Sequence, residues 1–464
     1  MAKIGVDFGT THTSAAYYNS KQSKLHFIDL DTVNSDPKLL RSMLYITREQ
    51  ETLLGREAVE TYLREDTGRI ARYEEKMVGT IENTVAQTQR GPTDPGGPIH
   101  IIYDVIIEED VSANGRLIQS IKTGLRDPEY TGTNIFDRFY TLPELISLIL
   151  LQVRQQAEKE LGEKVTTVTL GRPVDFSPDP AVDKMAQEKL HQAAELAGFK
   201  EISFEKEPIA AALFYTHTLT EPETVFVFDF GGGTLDMTIM EVEPNQPPKI
   251  LATQGVLVGG DDLDSALMQA KVAHAFGTTS TIDRDGAPFP LEVTNLLNRW
   301  QTIPSLSRAE NLSLIRRARQ YGNNPVAFHA LEVLAKQNYG FSLFQHIEQA
   351  KRQLSSETDT RIVMNPEEAI NLDIPITRRE FQAGIVTQVA QVQKGLTHVL
   401  RKAEMSPETI STIVTTGGSS LIPIFQMILQ RKFPNARLVQ SDTFGSVTAG
   451  LALRASGAQI DNKS

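Results

Sequence analysis

The chain has 464 residues, of which 40% are hydrophobic and 22% charged, with a formal net charge of −12 and no cysteine. That length favours two or three domain-sized units, and the lack of cysteine excludes disulfides, thiolate metal sites and cysteine nucleophiles. The acidic balance argues against a nucleic-acid partner. No signal-like apolar region follows Met1-Ala2-Lys3, and the apolar run at 145–151 is too short to cross a bilayer, so a cytoplasmic protein without a membrane partner is expected.

Strands and helices alternate, which predicts an α/β protein. Residues 4–8 and 14–18 read as strands joined by the tight turn Gly9-Thr10-Thr11-His12. Residues 87–98, rich in Pro, Gly and Thr, read as an exposed loop. A long helix is predicted over 142–161, stopped by Gly162. Then come a strand at 165–170, a helix at 181–197 closed by Gly198, and a short apolar helix at 208–215. Residues 224–230 and 235–242 form a second hairpin around Gly231-Gly232-Gly233. Residues 311–339 read as helix, and 412–416 as a strand running into Gly417-Gly418 with a helix behind it.

One repeat stands out. Val6-Asp7-Phe8-Gly9-Thr10-Thr11 and Phe228-Asp229-Phe230-Gly231-Gly232-Gly233-Thr234 are two copies of strand, Asp, aromatic, Gly, turn, lying about half a chain apart. Turns of Gly and Thr let backbone N–H groups approach an anion closely. A carboxylate at the end of a buried strand is costly unless it meets a cation. Two such carboxylates suit a hydrated Mg²⁺, which prefers oxygen ligands and keeps several waters. The combination points to a Mg-nucleotide. A tight hairpin alone explains one glycine run, but two matched copies weaken that explanation. No Gly-x-x-x-x-Gly-Lys-Ser/Thr run is present and no Gly-x-Gly-x-x-Gly opens the first helix, which argues against a P-loop enzyme and a dinucleotide fold.

The motifs carry a family resemblance. Residues 4–11 resemble the first phosphate motif of the 70-kDa heat-shock chaperones, and residues 228–236 their second. Glu207-Pro208-Ile209-Ala210-Ala211-Ala212 is similar to their connecting motif, and Gly259-Gly260-Asp261-Asp262-Leu263-Asp264 to their Gly-Gly-x-Asp-Phe-Asp segment. Residues 348–355 and 416–423 resemble their adenosine-contacting helix and adenosine motif. The likeness spans nearly the whole chain and is nearest to the short, ATPase-domain-only bacterial members of the YegD type. It implies an actin-like, ribonuclease H-like, two-lobed ATPase fold, with duplicated mixed-sheet cores and two outer subdomains. Lobe I is expected over 1–217 (outer subdomain 39–139) and lobe II over 218–434 (outer subdomain 260–376), with 435–464 returning to lobe I.

The resemblance also implies roles. Gly9, Thr10, Thr11, Gly231, Gly232, Gly233 and Thr234 would hold phosphates of ATP or ADP, with Asp7 and Asp229 holding Mg²⁺ through water. Glu207 and Lys122 would serve the attacking water and the chemical step, and Pro173 matches the family's switch proline. Gly259, Gly260, Glu348, Lys351, Ser355, Gly417, Gly418, Ser419 and Leu421 would line the nucleoside site; 348, 351 and 355 share one helix face. The family has an Arg where Leu421 stands and an acidic residue near Phe444, so weaker adenine binding and faster exchange are expected here. His12 is assigned no role. The outer subdomains are enlarged before Lys122 and between Asp264 and Glu348. A polar tail follows Leu453, so a client-binding domain is not expected. Four readings stay open: a slow, chaperone-like ATPase signalling to a partner or co-chaperone, a small-molecule kinase of the same superfold, a filament-forming protein, and a nucleotide sensor that does not hydrolyse.

Overall fold

A computed structural model describes residues 2–85, 99–216, 219, 221–244, 246, 248–440 and 445–457. The expected loop at 87–98 and Phe444 lie outside them.

Two sheets of matched topology form the centre. The first contains β1 (Ala2–Phe8), β2 (His12–Asn19), β3 (Lys24–Phe27), β4 (Val165–Arg172) and β5 (Glu201–Lys206), in the order β5-β4-β1-β2-β3. The second contains β6 (Glu223–Phe230), β7 (Leu235–Val242), β8 (Lys249–Val256), β9 (Thr412–Thr416) and β10 (Arg437–Gln440), in the order β8-β7-β6-β9-β10. In each, a three-stranded antiparallel meander is extended by two parallel strands. A short strand, Leu40–Arg41, also pairs with β2. Ile4, Val6 and Phe8 on β1, like Phe226, Phe228 and Phe230 on β6, are fully buried. These runs are central strands covered on both faces, as long apolar strands must be. The duplication read from the two Asp-Phe-Gly motifs is thus a duplication of whole sheets.

Helix boundaries follow local chemistry. Leu142–Leu161 begins with a capping box between Thr141 and Glu144 and ends at Gly162, whose φ of 69° only glycine adopts freely. The helix expected at 311–339 is instead two, Ala309–Tyr321 and Pro325–Lys336. The side chain of Asn324 caps the second and Pro325 opens it, so the chain turns at Gly322-Asn323-Asn324. β10 pairs with β9 in the second sheet, and the helix Gly445–Ser456 packs on β1 and β2 of the first.

Two helices carry the chain between the lobes, Glu207–Thr216 and Gly445–Ser456. They cross where Gly450 lies against Ala210 so closely that a Cβ would collide with the Ala210 carbonyl. Gly5 on β1 meets the backbone of Leu451 and Ala452 in the same way.

The outer parts of the lobes also touch. In lobe I, Met43–Thr47, Thr52–Leu54 and Gly115–Gln119 form a small sheet beside the helix Gly55–Glu65, and a ribbon of Tyr73–Val85 with Ile99–Asp110 extends from it. Tyr62 of that helix packs edge-on to Phe341 of lobe II, with ring centroids 5.4 Å apart, and 6.3 Å from Trp300. Around it Asn338 Nδ2 donates to Tyr62 Oη at 2.9 Å and the Asp66 carbonyl at 2.8 Å, and Trp300 Nε1 donates to Gln119 Oε1 at 2.7 Å. Gly68 N–H donates to the Gln337 carbonyl and Ala71 N–H to that of Lys336. The cleft between the lobes is therefore bridged at its outer end by a buried aromatic contact within a ring of hydrogen bonds.

Candidate functional site

The floor of the cleft is built by the two hairpin turns. In the first, Gly9 N–H donates to the His12 carbonyl at 3.0 Å; in the second, Gly231 N–H donates to the Thr234 carbonyl at 3.0 Å. Both turns are held from behind through their carbonyls. Ser42 donates to Thr11 O from its N–H and to Gly9 O from its hydroxyl. Gly260 N–H and Ser419 Oγ donate to Gly231 O, and Asp261 N–H to Gly232 O. Among the described residues, the N–H groups of Thr10, Thr11, Gly232 and Gly233 have no acceptor within the protein. With the carbonyls occupied and these donors open to the cleft, the turns can receive an anion.

The turns face each other. A Cβ on Gly232 would collide with Thr11 Oγ1, and one on Gly233 would lie 3.2 Å from Thr10 Cγ2. Gly259 presses on the backbone of Gly232 and Gly233, and Gly417, at φ 77°, on the Phe230 carbonyl. Glycine is required at 259 and 417 by close backbone approach, whereas at 232 and 233 the facing atoms are threonine side chains.

Acidic groups line the gap. Asp7 and Asp229 end β1 and β6, and Asp229 lies directly across the hairpin from Asp236. The equivalent partner of Asp7 is Ser14. All three aspartates are enclosed by protein yet open to the cleft. Burial, reinforced by Glu207, pushes Asp7 up to about 7 and Asp236 to about 6, and holds Asp229 well above the carboxylate range. Lys122 and Glu207, far apart in sequence, form a buried pair with Nζ 2.7 Å from Oε1. Burial works against the Lys122 charge, but Glu207 and Asp7 outweigh it and raise its pKa. Gly171, before Pro173, lies beside Glu207, and Arg172 Nε donates to the Pro173 carbonyl at 3.0 Å.

On the nucleoside side, Lys351 is already engaged, with Nζ 2.7 Å from Asp264 Oδ2 and 3.1 Å from the Gly260 carbonyl. Burial pushes Asp264 up to about 7 despite that ammonium. Glu348 lies 4.0 Å from Arg41 of lobe I, and Ser355 is half-buried one turn beyond Lys351. Ser419 touches the second turn, while Leu421 closes the short helix Gly418–Leu421, half-buried. His12 sits at the end of the first turn; burial and Arg41 lower it to about 4.

A family model described as Hsp70 protein matches residues 107–293 and 329–459. The chain belongs to the Hsp70 family. Its fold is therefore the actin-like ATPase fold that the resemblance implied, and it is an ATP-binding, chaperone-like ATP hydrolase in the general sense of that family. The match includes the second phosphate turn, Glu207 and Lys351; the first turn, at 9–12, lies outside it and takes its place here from the paired hairpins. No described helix of this Hsp70 protein is long and apolar enough to cross a membrane.

Sequence reading missed several members of the site. Asp236 was visible as the end of the second motif but gained a role only through its register with Asp229. Ser120, whose hydroxyl donates to Asp261 at 3.2 Å across the lobes, and Arg126, 3.4 Å from Thr234 Oγ1, carried no local signal.

Proposed function

We propose that this protein holds Mg-ATP between its lobes, hydrolyses it slowly, and passes the resulting lobe movement to a partner protein. The observation that carries the reading is the pair of facing phosphate turns, each beside an aspartate, over the buried Lys122–Glu207 pair. The N–H groups of Thr10, Thr11, Gly232 and Gly233, with the Thr11 and Thr234 hydroxyls, grip the β- and γ-phosphates. Glu207 orients the attacking water, and Lys122 fixes the Glu207 carboxylate and adds positive charge, as phosphoryl transfer requires.

The donor set fits a hydrated magnesium ion. Among the described residues, Asp7, Glu207, Asp229 and Asp236 lie near the cations Lys122 and Arg126, a net negative cluster whose aspartates are held toward their protonated form. Asp7 and Asp229, at matching strand ends beside the two turns, suit an ion held through water. When bound, the ion supplies charge neutralisation to the phosphate oxygens.

Slow turnover is supported by the bridged outer end of the cleft, which must part before product leaves. The test is phosphate release with and without a panel of sugars and polyols. Release independent of them, and cut by orders of magnitude in Asp229→Ala, is expected. Stimulation accompanied by phosphorylation of an additive would make the protein a small-molecule kinase; unchanged release in Asp229→Ala would remove the assignment of the site.

A further inference from the structure

The short helix Ile121–Arg126 carries two cations four residues apart, and both reach the cleft. Lys122 is committed to Glu207. Arg126 has, among the described residues, one hydrogen bond: its Nη2 donates to Thr234 Oγ1 at 3.4 Å, from lobe I to the lobe II turn. That hydroxyl lies 3.4 Å from Asp236 Oδ2, to which it donates in turn. The helix is held from outside, since Gly124 packs on Tyr130 and Leu142, and Lys189 Nζ donates to the carbonyls of Asp127 and Tyr130. Its inner side rests on the second phosphate turn, with Thr123 Cγ2 3.5 Å from where a Cβ of Gly233 would stand. An arginine brought this close to a phosphate turn, and satisfied there by one long bond to a neutral hydroxyl, has most of its donors to spare. A guanidinium prefers a planar, charged acceptor such as a phosphate, to which it bonds through two parallel N–H groups.

We propose that Arg126 is a second catalytic cation, delivered by lobe I across the cleft to the terminal phosphate held on the lobe II turn. The inference rests on the ATPase reading above. In the step, the water oxygen forms a bond to the γ-phosphorus while the bond to the β,γ-bridging oxygen breaks. The electron pair of the broken bond leaves on ADP, and the water proton passes to Glu207. Arg126 stabilises the charge that spreads over the γ-phosphoryl oxygens as this happens. Because it belongs to the opposite lobe from Thr234, it is in place only when the lobes are closed. Hydrolysis is thereby made conditional on closure.

The experiment is single-turnover ATP hydrolysis with Mg²⁺ by the full chain, alongside equilibrium titration of ADP, for wild type, Arg126→Ala, Arg126→Gln and Arg126→Lys. Arg126→Ala and Arg126→Gln are expected to slow the chemical step by about 10²-fold, the usual effect of removing one charge-stabilising donor. ADP affinity should stay within about twofold, since the lost contact is to the terminal phosphate. Arg126→Lys should recover part of the rate, and millimolar guanidinium should accelerate Arg126→Ala but not a Lys122→Ala control. If the wild type turns over and Arg126→Ala matches it within about threefold, Arg126 falls and the ATPase reading stands. An equal loss of ADP and ATP binding with an unchanged rate constant would make Arg126 a structural strap. If the wild type releases no phosphate, the ATPase reading itself fails.

Discussion

Replacing Tyr62 by alanine tests whether the outer aromatic contact governs nucleotide release. Tyr62 is 6% exposed, and its ring meets Tyr45 within its own lobe and Phe341 and Trp300 in the other. Truncating a buried aromatic to alanine costs about 3–5 kcal/mol. Two of the three ring partners are across the cleft, so about 2–3 kcal/mol of that is lost from the closed state alone. An open state, which lacks those partners already, loses only the remainder. At about 1.4 kcal/mol per tenfold, opening and hence nucleotide release should quicken by about 30- to 150-fold. Stopped-flow displacement of a fluorescent ADP analogue measures the rate, and a parallel melting curve separates it from general destabilisation. A lowered melting temperature with an unchanged release rate would show that the contact stays intact while nucleotide leaves, and the reasoning would be refuted.

Leu421→Arg should tighten ADP binding by up to about tenfold, because a guanidinium can stack on the purine where leucine offers only apolar contact; calorimetric titration showing no gain would mean that other residues close the adenine slot. His12 should impose an acid limb on stability. Its folded pKa, about 4, lies below the ordinary 6.5, so its contribution is fully present above pH 6.5 and is lost as pH falls toward 4. The loss reaches about 3 kcal/mol, and His12→Asn should flatten the denaturation midpoint between those pH values; an unchanged acid limb would contradict this.

What the sequence disclosed was local. The capping box at Thr141 and the stop at Gly162 place the helix Leu142–Leu161 to the residue, because both ends are fixed by side chains within one turn. The glycine-rich turns were legible because their backbone geometry permits little else. The break at 322–324 had the same kind of signal, Gly before Asn before Pro, but an otherwise continuous helical pattern overrode it. Contacts between segments distant in sequence were not legible. The Lys122–Glu207 pair came only through family likeness, and the Lys351–Asp264, Ser120–Asp261 and Arg126–Thr234 contacts join residues 87, 141 and 108 positions apart, the last two across the lobes. Such contacts depend on how distant elements are set against each other, which no window of sequence encodes. Lys351 illustrates the gap: its place on the nucleoside-facing helix was readable, but not that Asp264 and the Gly260 carbonyl already hold its ammonium.

The crossing of Gly450 over Ala210 has a mechanical meaning. Helices that mesh through large side chains act as toothed wheels; to rotate one, each tooth must leave its slot and find another, so the pair clicks between a few settings. Here the contact at Gly450 is backbone against backbone, and the buried side chains around it, Ala210, Ala211, Val447 and Leu451, are alanines and short aliphatics. Such a joint has few large teeth to disengage, so a small rotation asks for less repacking than in a fully meshed pair. Both interlobe helices run through it, and one of them begins with Glu207 itself. A slight shift at that carboxylate is therefore made at the pivot of a lever whose far arms carry Tyr62 and Phe341, where the same rotation becomes a much larger displacement.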